Sequence, residues 1–359
     1  MGSDQWPPRC HKEFLSGVNR SELARPLGHT AVGPLEAGAI SHIVITVFSR
    51  EYGPIAPPIS LKSLGHELDM SDGCFSWCVS SDDLLHDPAA LQERLDVDGY
   101  LYLPGYLDCE LVAESRELLL NQLDGLGLVD RANPVSAGVA TQPWKGQSCH
   151  HLALENAPLL TLLYSGRMID LYRRLFNGSV RHFDFTWMRV MGPGHGTAPH
   201  CDSVYMGRGT QQLFTSWTPL MDITPDIGGL TIMPGSHRIH SLDRYRAGDV
   251  DTVCTNKPAR EARDVHGWVG PVGDGKLTEN PAQLQASLGL PWVTAEHYRP
   301  GDVVVFSIAT IHGSLDNHSD RIRLSTDTRY QRADQPADER WIGENPTGHG
   351  AEARRDVIC

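Results

Sequence analysis

Short apolar segments separated by turn residues dominate the second half of the chain. Residues 182–191, 213–220, 229–233 and 303–306 are rich in β-branched, aromatic and other apolar side chains, and glycine or proline lies within a few residues of each segment. Apolar segments of this length, bounded by glycine or proline, are typical of strands in a β-sandwich or barrel. The pattern therefore predicts a mainly β core.

The preceding residues carry helical signals instead. Asp108 has the character of an N-cap before leucines at helical spacing. A second apolar stripe runs from about 158 to 176, with Pro158 near the first turn and Gly178 beyond the end. A third helical stretch is expected near 82–95. Helices that precede many short strands favour an arrangement in which helices flank one side of the sheets.

Composition and pattern divide the chain into three parts. Residues 1–95 are predicted to form a partly irregular N-terminal extension, in which the β-branched stretch 42–48 indicates one strand. Residues 96–335 hold the predicted β core, and residues 336–359 form a polar C-terminal tail. The core carries a polar insertion at 238–297. Long insertions are often lids or binding loops, so we expect this one to cover a pocket.

Charge and composition exclude several classes of partner. The 359 residues carry a formal net charge of -13, which argues against nucleic acid or an anionic membrane as the main partner. No apolar run approaches the length that spans a bilayer. The first ten residues lack the pattern of a secretory signal, and the eight cysteines are scattered. We therefore expect a cytoplasmic protein with reduced thiols; the sequence leaves its oligomeric state open.

The first candidate chemistry lies at His200 and Asp202. Side chains two residues apart on an extended segment point to the same side, so this imidazole and this carboxylate are expected to converge. An H-x-D pair alone is common by chance. His312, about a hundred residues later, follows the strongly apolar segment 303–306 and offers a second imidazole. Two imidazoles and one carboxylate form the ligand set typical of non-haem Fe(II) oxygenases.

The segment after His312 adds a candidate anion site. Ile322 and Leu324 fall on one face of an alternating strand, whereas Arg321 and Arg323 fall on the other. If the apolar face packs against helices, the arginines point into the barrel, where a guanidinium requires an anionic partner. The alternation by itself does not decide which arginine binds the anion.

These motifs, taken in order, resemble the phytanoyl-CoA dioxygenase family of Fe(II)/2-oxoglutarate-dependent oxygenases. That family carries H-x-D, a distant His, and R-x-S eleven residues after it. The matching residues here are His200-Cys201-Asp202, His312 and Arg323-Leu324-Ser325. Three further stretches also agree with the family: 98–107, 217–222 and 228–238. The resemblance runs from about residue 96 to about residue 331.

The resemblance implies a double-stranded β-helix core, a jelly-roll or cupin-like fold, with flanking helices. It implies that Fe(II) is held by the catalytic residues His200, Asp202 and His312. The residues implied at the 2-oxoglutarate are Arg323, Ser325, Ser314, Trp217 and Met188. Tyr205 and Arg189 are candidates for contact with the primary substrate.

The implied reaction consumes O2 and 2-oxoglutarate, releases succinate and CO2, and hydroxylates a small molecule. Two alternatives stay open at this point. The same cofactors also support desaturation, cyclisation or epimerisation, which differ in where the substrate radical lies. The other alternative is a catalytically silent β-helix protein that only binds a ligand.

Overall fold

A computed structural model describes residues 60–143, 147–250 and 275–348. The strand expected at 42–48 and the middle of the expected insertion, residues 251–274, lie outside these ranges. The strands in chain order are β1 (Lys62–Ser63), β2 (His66–Glu67), β3 (Phe75–Trp77), β4 (Tyr100–Leu103), β5 (Gln147–Ser148), β6 (Val180–His182), β7 (Trp187–Met191), β8 (Leu213–Pro219), β9 (Leu230–Ile232), β10 (Trp292–Thr294), β11 (Val303–Ser307), β12 (His312–Ser314) and β13 (Arg323–Arg332).

Two sheets form the core. The larger sheet has seven strands in the order β4-β11-β8-β13-β7-β5, with β6 also pairing with β13, and every pair is antiparallel. The smaller sheet has the order β12-β9-β10-β3, in which β10 and β3 run parallel. Side chains on the inner faces of the two sheets contact each other, as where the Phe306 and His312 rings lie 4.4 Å apart. This arrangement confirms the predicted double-stranded β-helix.

Helices cover the outer face of the larger sheet: α1 (Pro88–Asp98), α2 (Cys109–Gly125), α3 (His150–Leu154), α4 (Ala157–Tyr164) and α5 (Gly166–Phe176). The buried residues of α6 (Ser203–Met206), α7 (Asp243–Arg246) and α8 (Pro281–Leu288) belong to a separate hydrophobic cluster. Asp108 caps α2 as predicted, since its carboxylate accepts hydrogen bonds from the amides of Glu110 and Leu111. The single helix expected at 158–176 is two helices, because the chain is extended at Ser165.

The longest strand, β13, has two chemically different faces. Leu324 and Tyr330 point outward, and the Tyr330 ring stacks on Tyr172 of α5 at 4.2 Å. Residues of the opposite parity, among them Arg323 and Arg329, face the space between the sheets and are buried. The predicted alternation, with the apolar face toward helices and the charged face inside, is confirmed. This strand therefore carries positive charge into the core.

Parts of the expected extension, insertion and tail belong to the core. β3, within the extension, and β10, within the insertion, pair with each other in the smaller sheet. Trp341 in the tail is fully buried against Phe185 and Trp187. The interval 238–297 is thus not one loop, because its last part supplies a strand. The division into domains by composition consequently cuts through the smaller sheet.

Within the described ranges, no helix is long and apolar enough to cross a membrane. Cys74, Cys78, Cys149 and Cys201 are free thiols.

Candidate active site

Three buried side chains converge between the sheets. The donor atoms of His200, Asp202 and His312 all lie within 4.8 Å of one another. Asp202 Oδ1 is 3.7 Å from His200 Nε2 and 3.7 Å from His312 Nε2. The structure therefore brings together the three residues that the sequence singled out as metal ligands.

Backbone pairing aligns the two histidines. His200 and His312 exchange both hydrogen bonds of an antiparallel bridge, with N···O distances of 2.9 and 3.0 Å. The same two segments pair again where the Ser314 amide donates to the Thr197 carbonyl at 3.1 Å. We call this pairing of residues 194–200 with residues 312–317 the ligand ladder. Because the two histidines are directly opposite, their imidazoles emerge on the same side, with ring centroids 4.2 Å apart.

Each imidazole is oriented by a second bond. His200 Nδ1 lies 2.8 Å from the Ala198 carbonyl oxygen, and His312 Nδ1 lies 3.1 Å from that of Thr310. A carbonyl can only accept, so Nδ1 carries the proton and Nε2 keeps its lone pair for a metal. Burial lowers the pKa of His200 to about 3 and also lowers the pKa of His312. Both rings are therefore neutral, which is the form that binds metals.

The backbone conformation at Asp202 differs from the extended segment that was predicted. Its backbone is helical, with φ -62° and ψ -23°, and α6 begins at the next residue. The carboxylate converges with His200 because the chain turns into a helix there, not because an extended segment alternates. Cys201 points away, as expected, and its buried thiol donates to the Ala309 carbonyl at 3.3 Å.

The second oxygen of Asp202 is held by two donors. Arg329 Nη2 lies 2.9 Å from Asp202 Oδ2, and the Thr215 hydroxyl donates to the same oxygen at 2.5 Å. The Arg329 guanidinium also stacks over Trp187, with its central carbon 3.9 Å from the ring centroid. Burial alone would raise the pKa of Asp202, but the Arg329 guanidinium and the hydrogen bond from Thr215 hold it well below the usual range. Asp202 is thus ionised, with Oδ1 left to face the histidines.

Arg329 is a functional residue that the sequence reasoning missed. It stands six residues after Arg323 in β13 and so shares its inward face. Only 1% of Arg329 is exposed, and its Nε and Nη1 have no hydrogen-bond partner among the described residues. The even spacing between Arg323 and Arg329 in the sequence could have predicted that both face inward.

The candidate cosubstrate clamp lies on the same face of β13. Arg323 is 3% exposed, donates from Nη1 to the Gly228 carbonyl, and has no partner for Nε among the described residues. Ser325, two residues on, is fully buried, and its hydroxyl also has no partner there. Burial, together with Arg189, lowers the pKa of Arg323 to about 10. Arg321 precedes the strand and is exposed, so geometry favours Arg323 as the clamp.

Of the other residues predicted at the cosubstrate, Trp217 and Ser314 face the site, whereas Met188 does not. Trp217 lies on the same face of β8 as Thr215, and Ser314 accepts a hydrogen bond from the Thr197 amide at 2.8 Å. Met188 pairs with Thr326 and lies on the outer face of β7, in the helix-side core. Its predicted cosubstrate contact is contradicted, because successive strand residues point to opposite faces.

The two candidate substrate residues are both engaged within the protein. The Tyr205 ring packs edge-on against His200, with centroids 5.5 Å apart, and only 6% of Tyr205 is exposed. This position suits support of the imidazole better than contact with a substrate. Arg189 pairs through Nε with Asp327 Oδ2 at 2.7 Å and is partly exposed.

The donor set fits Fe(II). Two neutral imidazoles and one ionised carboxylate can hold non-haem iron by one face and leave the opposite positions open. Such a site between the sheets of a double-stranded β-helix defines the class of 2-oxoglutarate-dependent non-haem iron oxygenases. The sequence model of the phytanoyl-CoA dioxygenase family matches residues 96–325, and the chain belongs to that family. The protein is accordingly an oxidoreductase that uses Fe(II), 2-oxoglutarate and O2.

The sequence identities to individual known proteins are low. The chain is 28% identical over 270 residues to a 1-deoxypentalenic acid 11-beta-hydroxylase from Streptomyces arenae, covering 72% of this chain and 86% of the relative. The corresponding hydroxylase from Streptomyces exfoliatus is 26% identical over 268 residues, covering 71% and 85%. Among solved structures, the α-ketoglutarate-dependent carbocyclase SnoK from nogalamycin biosynthesis is similar, with 18% identity, a TM-score of 0.49, and coverage of 74% of this chain and 87% of that one.

Replacing Arg329 with methionine is expected to destabilise the metal-free protein strongly. The substitution keeps much of the side-chain volume but leaves Asp202 buried without its countercharge, a loss that typically costs about 3–5 kcal/mol. A bound divalent cation would restore a positive charge beside Asp202, so the loss should shrink in the loaded protein. Thermal unfolding with and without Mn(II) measures both values. Arg332→Met, in the same strand but paired with Asp334 at the surface, is the control, and an equal loss in both variants contradicts the interpretation.

Proposed function

We propose that this protein hydroxylates a C–H bond of a small molecule, with conversion of 2-oxoglutarate and O2 to succinate and CO2. One oxygen atom enters the substrate as hydroxyl and the other enters succinate, so the reaction balances without a further reductant. The observation that supports this most directly is the buried triad His200, Asp202 and His312, whose Nε2 and Oδ1 donors converge. Fe(II) bound there would supply the oxygen activation.

The residues around the triad suit distinct tasks. Arg329 and Thr215 hold Asp202 Oδ2 and so present a single oxygen to the metal. We assign Arg323 and Ser325 to the far carboxylate of 2-oxoglutarate, because both are buried polar groups with donors that lack partners among the described residues. A guanidinium and a carboxylate form strong charge-assisted hydrogen bonds.

Aromatic side chains beside the triad suit the exclusion of water from the site. Phe306 lies against the His312 ring, and Trp217 contacts Tyr298 with centroids 4.7 Å apart. Trp217 and Ser314 stay in the proposed cosubstrate pocket, since both lie on site-facing positions. Exclusion of water strengthens each electrostatic contact inside and protects reactive species from side reactions.

We propose a small molecule as the substrate and hydroxylation as the outcome. The two hydroxylases of 1-deoxypentalenic acid support both, since they align with most of this chain. The net charge of -13 supports a partner other than nucleic acid or an anionic membrane surface. We further propose that the reaction takes place in the cytoplasm.

The test is single-turnover profiling. The protein is loaded anaerobically with Fe(II) and 2-oxoglutarate, mixed with pooled small molecules, and exposed to 18O-labelled O2. The expected result is succinate formation that one pool accelerates, together with a product heavier by one labelled oxygen. His200→Ala provides the blank. Substrate-stimulated succinate with an unlabelled product two hydrogens lighter would favour desaturation or ring closure, and binding of 2-oxoglutarate without succinate from any pool would favour the silent ligand-binding alternative.

A further inference from the structure

A short hairpin outside the family match lies against the ligand ladder. β1 and β2 pair through Ser63 and His66, and the flanking Leu61 and Leu68 are 2% and 5% exposed. We call residues 61–68 the N-terminal hairpin. Its turn residues Leu64 and Gly65 both have positive φ, 52° and 79°. Two such residues in a two-residue turn match the type I′ hairpin connection.

The turn of the hairpin forms hydrogen bonds with one buried carboxylate, that of Asp316. The Leu64 amide donates to Asp316 Oδ1 at 2.8 Å, and the Gly65 amide donates to Asp316 Oδ2 at 2.7 Å. The Asp316 side chain is 2% exposed, so the acceptor of both bonds is buried. The Asp316 amide in turn donates to the Lys62 carbonyl at 2.8 Å.

The same carboxylate reaches the other side of the ligand ladder. Asp316 Oδ1 also accepts from the Gly196 amide at 2.7 Å. Gly196 stands four residues before His200, and Asp316 stands four residues after His312. The Ser63 hydroxyl adds a bond to the Ser314 carbonyl at 2.9 Å. One carboxylate thus joins the hairpin to both segments that carry the imidazoles.

The ladder has little room to adjust on its own. A Cβ on Gly196 would meet the Ser314 carbonyl oxygen at 2.4 Å, so the two segments approach closely there. Leu64 meanwhile keeps a left-handed backbone, which is unfavourable for a non-glycine residue. Backbone strain of this kind persists only where surrounding contacts determine it, and it often marks a functional site.

We infer that the N-terminal hairpin, acting through Asp316, is a positioning element of the metal site. This inference rests on the proposed assignment of His200, Asp202 and His312 as metal ligands. Metal sites need their donors within about 0.5 Å of the productive geometry, held by supporting contacts. Loss of the hairpin contacts frees the outer end of the ladder, and the imidazoles at its inner end lose their fixed spacing. The metal then binds more weakly although the sheets still form.

The test compares Asp316→Asn with a matched control. Asparagine keeps one acceptor oxygen but turns an amide toward the hairpin N–H groups. We expect the full-length variant to bind Co(II) about tenfold more weakly than the wild type by anaerobic titration of the Co(II) absorption bands. Asp302→Asn is the control, because Asp302 is also buried and caps backbone amides, of Gly105 and Arg299, but does not contact the ladder. It should lower the melting temperature with Co(II) affinity within twofold of wild type.

The outcomes separate this inference from the proposed function. Equal Co(II) affinity in Asp316→Asn and the wild type, or an equal loss in both asparagine variants, overturns the positioning role. Failure of the wild type to bind Co(II), or tight binding by His200→Ala, overturns the metal assignment instead. Should Asp316→Asn not fold, Ser63→Ala replaces it, since it removes only the bond to Ser314. Its Co(II) affinity is expected to fall about threefold, and an unchanged value would refute the inference.

Discussion

Replacing His200 with alanine is expected to abolish Fe(II) binding and 2-oxoglutarate turnover while the chain stays folded. The imidazole is one of three metal donors, and its removal leaves no buried charge unpaired. Asp202→Ala also removes a metal donor. In addition, it leaves Arg329, which is 1% exposed and pairs with Asp202 Oδ2, buried without an anionic partner. That variant should therefore lose about 3–5 kcal/mol of stability as well. Anaerobic Fe(II) titration, succinate release and thermal unfolding measure the three effects.

Cys201→Ala is the matched control for both substitutions. Cys201 lies between the two ligands, is equally buried, and points to the opposite side. Its replacement should leave Fe(II) affinity and turnover close to those of the wild type. Turnover that survives in His200→Ala, or that disappears in Cys201→Ala with the fold intact, would refute the assigned ligand set.

Replacing Arg323 with alanine is expected to raise the KM for 2-oxoglutarate by tens- to hundreds-fold. Loss of a charge-assisted pair with a carboxylate costs about 2–4 kcal/mol in a buried site. Fe(II) binding should be mostly retained, because Arg323 contacts none of the three ligands in the described structure and donates to the Gly228 carbonyl. Steady-state kinetics at saturating Fe(II) give the KM, and a separate metal titration gives the affinity.

Arg321→Ala provides the comparison for Arg323. Both arginines have the same parity in the sequence, but Arg321 is exposed and precedes β13, whereas Arg323 opens that strand. The KM of Arg321→Ala should stay near the wild-type value. A larger effect at Arg321 than at Arg323 would show that a different guanidinium binds the carboxylate.

Local patterns were sufficient for part of the site. Alternation in 321–327 gave the inward face of β13, and the spacing of His200, Asp202 and His312 gave the candidate ligands. The structure reaches the same convergence through a helical turn at Asp202 and a backbone bridge between the histidines. Period-two reasoning thus found the right residues although the local conformation differs.

Other features depended on contacts that no local pattern encodes. Arg329 meets Asp202 across 127 residues of chain. Met188 was placed at the 2-oxoglutarate by the family resemblance alone. No pattern in β7 could have tested that placement, because Trp187, Met188 and Val190 put apolar residues on both faces of the strand. β10 has only three residues, too few for an apolar pattern to separate it from a loop.

The bridge between His200 and His312 also bears on synthesis of the protein. His200 and Asp202 leave the ribosome long before their partners, since Arg329 follows His200 by 129 residues. At about 5–20 residues per second, that interval lasts roughly 6–26 s. Until His312 is made, the nascent chain holds only two of the three donors, and the countercharge of Asp202 is absent until Arg329 is made. The complete donor set and its countercharge therefore exist only in a nearly complete chain, so we expect iron to bind after most of the surrounding protein has been made.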